Sequence, residues 1–182
     1  LPKSEIMNFL DSLKRDIERG LTQRKINFAN SLSEELNKIG IRMEGQYPSF
    51  SAGLFTIIPE IESEKVKIWY GSKQEFLGEC SSDPEKVVQS IKKFENELGS
   101  DVDGAEFLRR LAIAHKRVVS EGASDSAPII AVLYELAHLM QNDKFRSDPQ
   151  KNNYKTYSRA DFSFDLYRLK KPNENIDRRQ NC

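Results

Sequence analysis

The chain has 182 residues, and its 28 Lys and Arg balance its 28 Asp and Glu, so its formal net charge is zero. A chain of this length can bury about 70% of its unfolded surface and therefore needs no metal ion or disulfide for stability. Zero net charge excludes a global attraction to nucleic acid or to an anionic membrane. No apolar run approaches the ~20 residues that cross a bilayer, and no charged-then-apolar secretory signal opens the chain.

The two cysteines, Cys80 and Cys182, are too few for a disulfide framework or a zinc site. Their scarcity is typical of the reducing cytoplasm, where we expect this protein, although a single bridge between them stays open. The chain begins with Leu1 and not with Met, which indicates either a fragment of a longer protein or extra residues before a start at Met7.

Residues 1–40 are predicted to form a helical N-terminal arm, because apolar residues recur at helical spacing from Ile6 to Ile39. Gly20 interrupts the pattern, which leaves open one long helix or two shorter ones. One long helix would reach about 50 Å, longer than a compact domain of this size needs. Its first half would then pair with another chain as in a coiled coil, whereas two shorter helices would pack on the sheet. The residues expected at the helical interface are Phe9, Leu10, Leu13 and Ile17.

Apolar and polar residues alternate within Phe50–Cys80 and predict half-buried antiparallel strands. Three strands joined by polar turns would form a small β-meander with one face on the core. The other face would carry Lys65, Lys67 and Trp69, a combination that suits nucleic acid, although neighbouring glutamates weaken that interpretation. The predicted fold class is therefore α+β, a small antiparallel β-meander over about residues 50–80 packed against several helices, with an amphipathic helical N-terminal arm.

Three amphipathic helices are predicted after the meander, over residues 84–98, 106–121 and 129–141. The last of them is the most apolar, and we expect it at the centre of the core. Residues 154–169 fit both a strand and a short helix. The α+β domain is predicted to span residues 41–170, between the helical arm and a polar tail or linker at 171–182.

No motif of nucleophilic, phosphate-binding or metal-dependent chemistry is present, which favours a protein that is not an enzyme. We accordingly predict no catalytic residue, cofactor or metal ion. The two histidines, His115 and His138, follow alanines on the apolar sides of predicted helices and are expected to pack in the core. An alternative role as metal ligands across facing helices, with Glu135 or Glu106, has no support from HEXXH or CxxC spacing.

Two basic groups stand out as candidate contacts for a partner. The first is Arg109, Arg110, Lys116 and Arg117, which a seven-residue spacing places on one outer helix face. The second combines tyrosines with basic residues, side chains that are frequent at protein interfaces and that also suit nucleic-acid backbones and unstacked bases. It comprises Tyr154, Lys155, Tyr157, Arg159, Arg168, Lys170 and Lys171.

These features favour a non-enzymatic interaction subunit, accessory or structural, of an intracellular assembly. It would associate with another protein or a second copy through its N-terminal helix and its C-terminal aromatic and basic segment. A nucleic-acid-binding accessory protein that uses the basic residues of 109–117 and 151–171 is the first alternative. An enzyme with an unrecognised active site is the second, and no association with a membrane is expected.

Overall fold

The computed structural model describes residues 3–121 and 126–170, and the chain divides into two compact units, residues 1–97 and 98–182. The predicted polar tail at 171–182 lies outside the described residues. The predicted three-part division into 1–40, 41–170 and 171–182 stays a prediction. The predicted α+β class with an N-terminal helix and an antiparallel meander is confirmed.

The first unit opens with one continuous helix, α1, from Lys3 to Lys38. The helix runs through Gly20 without a break, and a Cβ atom at that position would meet nothing within 4 Å. Of the two arrangements left open by the sequence, the single long helix is therefore the one that forms. At 1.5 Å per residue its 36 residues span about 54 Å.

A five-stranded antiparallel sheet follows, in which every strand pairs with the next one along the chain. The strands are β1 Met43–Gln46, β2 Ser49–Ala52, β3 Phe55–Glu60, β4 Lys65–Tyr70 and β5 Glu75–Ser81. The last three strands are the predicted meander. The first two are additional, and their four-residue lengths leave too few alternating positions for the period of two to be visible.

One face of the sheet forms the core of the first unit. Ile57 of β3 pairs with Ile68 of β4, and both side chains are fully buried. Helix α2, Pro84–Glu97, packs against β5 and α1, and α1 also contacts β1. Burial on β3 and β4 alternates residue by residue, as expected for strands with one covered face.

The second unit is helical. Its helices are α3 Gly104–Glu121, α4 Ile129–Leu139, α5 Asp143–Ser147 and α6 Arg159–Lys170. Buried side chains of α3, α4 and α6, among them Phe107, Leu136 and Phe162, form its core. Residues 154–169, open between strand and helix in the sequence, thus contain a helix.

A buried polar network connects α6 to the start of the second unit. Asp165 is almost completely buried, and its carboxylate accepts hydrogen bonds from the Ser100 amide at 3.0 and 3.1 Å and from the Tyr157 hydroxyl at 2.9 Å. Arg168 lies 3.1 Å from the same carboxylate and donates to the Ser100 carbonyl oxygen at 3.0 Å. Because buried carboxylates are costly unless paired and hydrogen-bonded, this network specifies how α6 packs.

Candidate interaction surfaces

The N-terminal half of α1 carries six large apolar side chains that are each about half exposed. They range from 45% exposed at Leu13 to 66% at Phe9, and every described residue from Ser4 to Gly20 is exposed. The four residues predicted for the helical interface, Phe9, Leu10, Leu13 and Ile17, all belong to this group, and Ile6 and Met7 complete it. We call these six residues the arm stripe.

The arm stripe continues a stripe that is buried further along the same helix. Phe28, Leu32 and Leu36 lie within about 120° of Ile6 on a helical wheel at about 100° per residue. Leu32 and Leu36 are 0% exposed, and α1 packs on α2. The apolar stripe of α1, which turns gradually around the helix, is therefore covered in the second half of the helix and uncovered in the first.

Ion pairs mark the beginning of the packed half of α1. Lys25 donates to Glu62 at 2.9 Å and lies 4.6 Å from the centroid of the Tyr47 ring, and Arg24 reaches Glu64 at 3.3 Å. The hydrogen bond from Lys25 holds the pKa of the Glu62 carboxyl below its ordinary value. These pairs attach the helix beside the 3₁₀ turn Ile61–Ser63.

The predicted basic face of α3 is largely neutralised by ion pairs. Arg109 and Arg110 both bind Glu106, each at 2.6 Å, and these bonds hold the pKa of that carboxyl at about 2. Arg117 pairs with Glu135 of α4 at 3.3 Å. Arg110 is only 21% exposed and also donates to the Leu139 carbonyl oxygen. Lys116 is exposed on the same helix. The four residues therefore do not present four unpaired charges to a nucleic acid.

The aromatic and basic C-terminal segment contributes mainly to the folded structure. Tyr157 and Arg168 bind the buried Asp165, and burial together with that carboxylate raises the pKa of the Tyr157 hydroxyl. Lys155 pairs with Asp101. Tyr154 packs edge to face on Phe145, Arg159 and Lys170 are exposed, and Lys171 lies outside the described residues.

The outer face of the sheet is also balanced in charge. Lys65 pairs with Glu79 at 2.7 Å and Lys67 with Glu60 at 2.6 Å. Trp69 packs edge to face on Phe76, and its buried indole Nε1 has no hydrogen-bond partner among the described residues. Glu60, one of the neighbouring glutamates that weakened the nucleic-acid interpretation in the sequence, pairs with Lys67, whereas Lys65 pairs with Glu79 of the adjacent strand.

Helix α4 was expected at the centre of the core, but only one of its sides is buried, and the other is exposed. Ile129, Ile130 and Tyr134 are 54–65% exposed, whereas Val132 and Leu136 face the core. This apolar surface was missed because a helix that is apolar around much of its girth reads as buried on all sides. The second unit is built on one shared core of α3, α4 and α6, which covers only one side of α4.

The prediction that both histidines pack in the core is wrong. His115 and His138 are exposed, and His138 stacks edge to face on the exposed Tyr134 ring. The neighbouring Ala114 is fully buried, and one step along a helix turns the side chain by about 100°, which directs His115 outward. Within residues 3–121 and 126–170, no group of three or more His, Cys, Asp and Glu is arranged to hold a metal ion.

Cys80 is a free, half-buried thiol on β5, and burial raises its pKa, which lowers its reactivity at neutral pH. Its bridge to Cys182, left open by the sequence, involves a residue outside the described ones. In the described part of the chain, the helices are too short or too polar to cross a bilayer.

The chain is an α+β protein in which a helix-covered antiparallel meander is followed by a helical unit. Comparison with known protein families, with curated proteins and with solved structures finds no match. The function has to be inferred from the surfaces themselves.

Proposed function

We propose that the protein is a non-enzymatic interaction subunit that self-associates through the arm stripe, the first half of α1 pairing antiparallel with the same segment of a second copy. The observation that carries this proposal is the exposure of six large apolar side chains on a helix face that is fully buried further along. Folded monomers rarely expose contiguous apolar patches above a few hundred Å² unless the patch binds something.

The energetic reason is the hydrophobic effect. Removing apolar surface from water contributes about 25 cal/mol per Å², so covering the half-exposed side chains of two arms offsets the entropy lost on association. Isolated helices are marginal in water and gain most of their stability from a packed apolar face. Pairing of two arms would therefore both bury the arm stripe and stabilise the helix.

The positions of the apolar residues in the arm stripe match between two copies of the helix that run antiparallel. Its four axial residues are Ile6, Leu10, Leu13 and Ile17, with steps of four, three and four residues. The same steps appear when the chain direction is reversed, so an antiparallel copy places Ile6 opposite Ile17 and Leu10 opposite Leu13. Alternating steps of three and four are the heptad spacing of coiled-coil seams.

The charges along the arm favour the antiparallel orientation. Residues 4–12 contain two acidic residues and no basic one, whereas residues 13–20 contain three basic and two acidic residues. An antiparallel pair sets the negative part of each arm beside the positive part of the other, while a parallel pair sets like against like. Antiparallel helix dipoles also attract each other.

A contribution of the C-terminal segment would use Arg159 and Lys170, since Lys155, Tyr157 and Arg168 are engaged within the chain. A cytoplasmic location rests on the scarcity of cysteine. Nucleic-acid binding has less support than self-association, because carboxylates pair with most of the basic residues that it would use.

Sedimentation equilibrium of the full chain tests the self-association. We expect a dimer whose fraction rises with concentration, and a monomer for Leu13→Glu, which places a charge in the middle of the stripe. Asn8→Glu is the matched control, because Asn8 is exposed and lies on the opposite side of the helix. A wild-type chain that stays monomeric at ~100 μM, where even a weak interface with micromolar Kd is occupied, would exclude the second copy as the occupant.

Cross-linking tests the orientation. In a background with both native cysteines replaced by serine, chains with Ile6→Cys and chains with Ile17→Cys are mixed under oxidising conditions. Antiparallel pairing gives mainly the mixed disulfide, since the two positions lie opposite each other. Predominant Ile6→Cys homodimers would instead show a parallel pair and contradict the proposed orientation.

A further inference from the structure

The second unit contains a pocket of about 340 Å³, at the lower end of the range for small-molecule sites. Its walls come from the turn at residues 100–102, from the junction between α4 and α5, and from residues 155–157. The charged side chains in these walls are Asp101, Arg110, Asp143, Arg146 and Lys155, and the hydroxyl groups belong to Ser100, Thr156 and Tyr157.

Two guanidinium groups converge in this pocket. Arg110 Nη1 and Arg146 Nη2 donate to the same carbonyl oxygen of Leu139, at 3.0 and 3.2 Å. Leu139 is the last residue of α4, where carbonyl groups lack helical partners and the helix dipole attracts cations. The fold thus holds two like charges next to each other.

The positive charge of this pair is only partly compensated. Arg110 binds Glu106 at 2.6 Å, but that carboxylate is shared with Arg109. Arg146 forms no ion pair with the residues that the structure describes. Two adjacent guanidinium groups with one shared carboxylate leave donor capacity for an oxyanion, and arginine is the residue that binds phosphate and carboxylate best.

The walls are held in place from behind. Gln141 is buried and joins the end of α4 to Lys155, donating to its carbonyl oxygen and accepting from its amide, both at 2.9 Å. Asp165 fixes the Ser100 amide. The Ser100 hydroxyl is buried and has no hydrogen-bond partner within the described residues. An unpartnered buried hydroxyl is uncommon in folded proteins.

We propose that this pocket binds a small phosphate-bearing molecule, with Arg110 and Arg146 holding the phosphate. A tetrahedral dianion can accept from two guanidinium groups that approach from different helices, whereas one bidentate arginine already satisfies a carboxylate. Asp101 neutralises Lys155, and Asp143 adds a negative charge to the wall, so we expect a moderate affinity for phosphate. The volume of about 340 Å³ restricts the ligand to a small molecule.

Titration calorimetry of the full chain with inorganic phosphate tests the assignment, with succinate as a carboxylate probe at equal ionic strength. We expect saturable binding of phosphate with a Kd of ~1 mM and weaker binding of succinate. Arg146→Gln is expected to weaken phosphate binding about tenfold, because it removes the guanidinium that no carboxylate compensates. Asp143→Asn is expected to tighten binding by a few-fold, because it removes a repelling charge.

Arg117→Gln is the matched control, since Arg117 lies on the same helix α3 as Arg110 and pairs with Glu135 but does not line the pocket. Equal affinities of Arg117→Gln and Arg146→Gln would overturn the assignment, and so would the absence of saturable phosphate binding up to ~10 mM. Tighter binding of succinate than of phosphate would reject the phosphate class. Thermal unfolding of each variant without ligand distinguishes a lost site from a lost fold.

Discussion

The two halves of α1 share one helix and one apolar face but differ in what covers them. Leu32 and Leu36 are completely buried, whereas Leu10 and Leu13 are 50% and 45% exposed. The difference lies in their surroundings, because residues 4–20 are all exposed, whereas Arg24 and Lys25 of the second half form ion pairs with Glu64 and Glu62. Helical periodicity shows which face of a helix will be covered, and the tertiary structure shows whether this chain can cover it alone.

Shortening one leucine in each half of α1 is expected to give the largest difference in stability. Leu32→Ala removes a fully buried side chain and is expected to lower the free energy of unfolding by about 2–5 kcal/mol. Leu13→Ala is expected to change the stability of the monomer by less than ~0.5 kcal/mol. Urea denaturation measures both changes in the free energy of unfolding, at a protein concentration low enough for paired arms to dissociate. Equal losses would mean that the first half of α1 is packed within the monomer.

Gly20 lies at an open backbone position, whereas Gly99 lies at a crowded one. A Cβ at Gly99, where φ is +85°, would lie 2.7 Å from Asp165 Oδ1 and 2.9 Å from the Phe164 ring, whereas a Cβ at Gly20 meets nothing. Gly99→Ala is expected to cost about 2 kcal/mol, through strain and displacement of the buried carboxylate. Gly20→Ala is expected to stabilise the helix by up to ~1 kcal/mol.

Thermal unfolding of both alanine variants at low protein concentration, beside the wild-type chain, provides the measurement. A stability loss for Gly20→Ala would indicate that another part of the chain approaches the arm closely. An unchanged stability for Gly99→Ala would show that the network around Asp165 tolerates a side chain there, contrary to the distances.

The smallest expected effect is the dependence of folding stability on pH that arises from the Lys25–Glu62 ion pair, where the packed half of α1 begins. The pKa of Glu62 is lowered in the folded chain by the hydrogen bond from Lys25. A carboxyl with a lowered pKa contributes stability above its unfolded value near 4.3, and this contribution is lost as pH falls through the folded pKa. Because both side chains are partly exposed, solvent screening keeps the contribution small.

Nuclear magnetic resonance titration of the Glu62 carboxyl checks this effect. Lys25→Met is expected to raise the Glu62 pKa toward its ordinary value. Lys14→Met, the same substitution within the uncovered half, is expected to leave it unchanged. A Glu62 pKa that does not respond to Lys25→Met would show that the ion pair does not hold α1 beside the turn.

Sequence patterns over a few residues predicted the helices and strands that form because of interactions between near neighbours in the chain. Helix α1 and strands β3 to β5 follow from periods of 3.6 and 2, and the predicted α+β class is confirmed. A further local signal was overlooked at α6. Ser158 and Asp161 cap each other, through the Ser158 amide at 2.8 Å and the Asp161 amide at 3.2 Å, a reciprocal capping box that begins a helix.

The candidate sites were only partly predictable, because a side chain's availability depends on its neighbours in space. The arm stripe was predicted with four of its six residues. The pocket with Arg110 and Arg146 was missed, since the two are 36 positions apart in the sequence and meet only at the Leu139 carbonyl oxygen. Spacing along the chain carries no information about such a meeting.

The amino-acid sequence by itself determined where the helices and main strands form and which face of α1 is apolar, because backbone preferences and side-chain periodicity act over a few residues. Only the tertiary structure decided that Tyr157 and Arg168 serve a buried carboxylate, that His115 faces outward and that the first half of α1 stays uncovered. Burial and pairing depend on residues distant along the chain, and these residues become neighbours only when the chain folds.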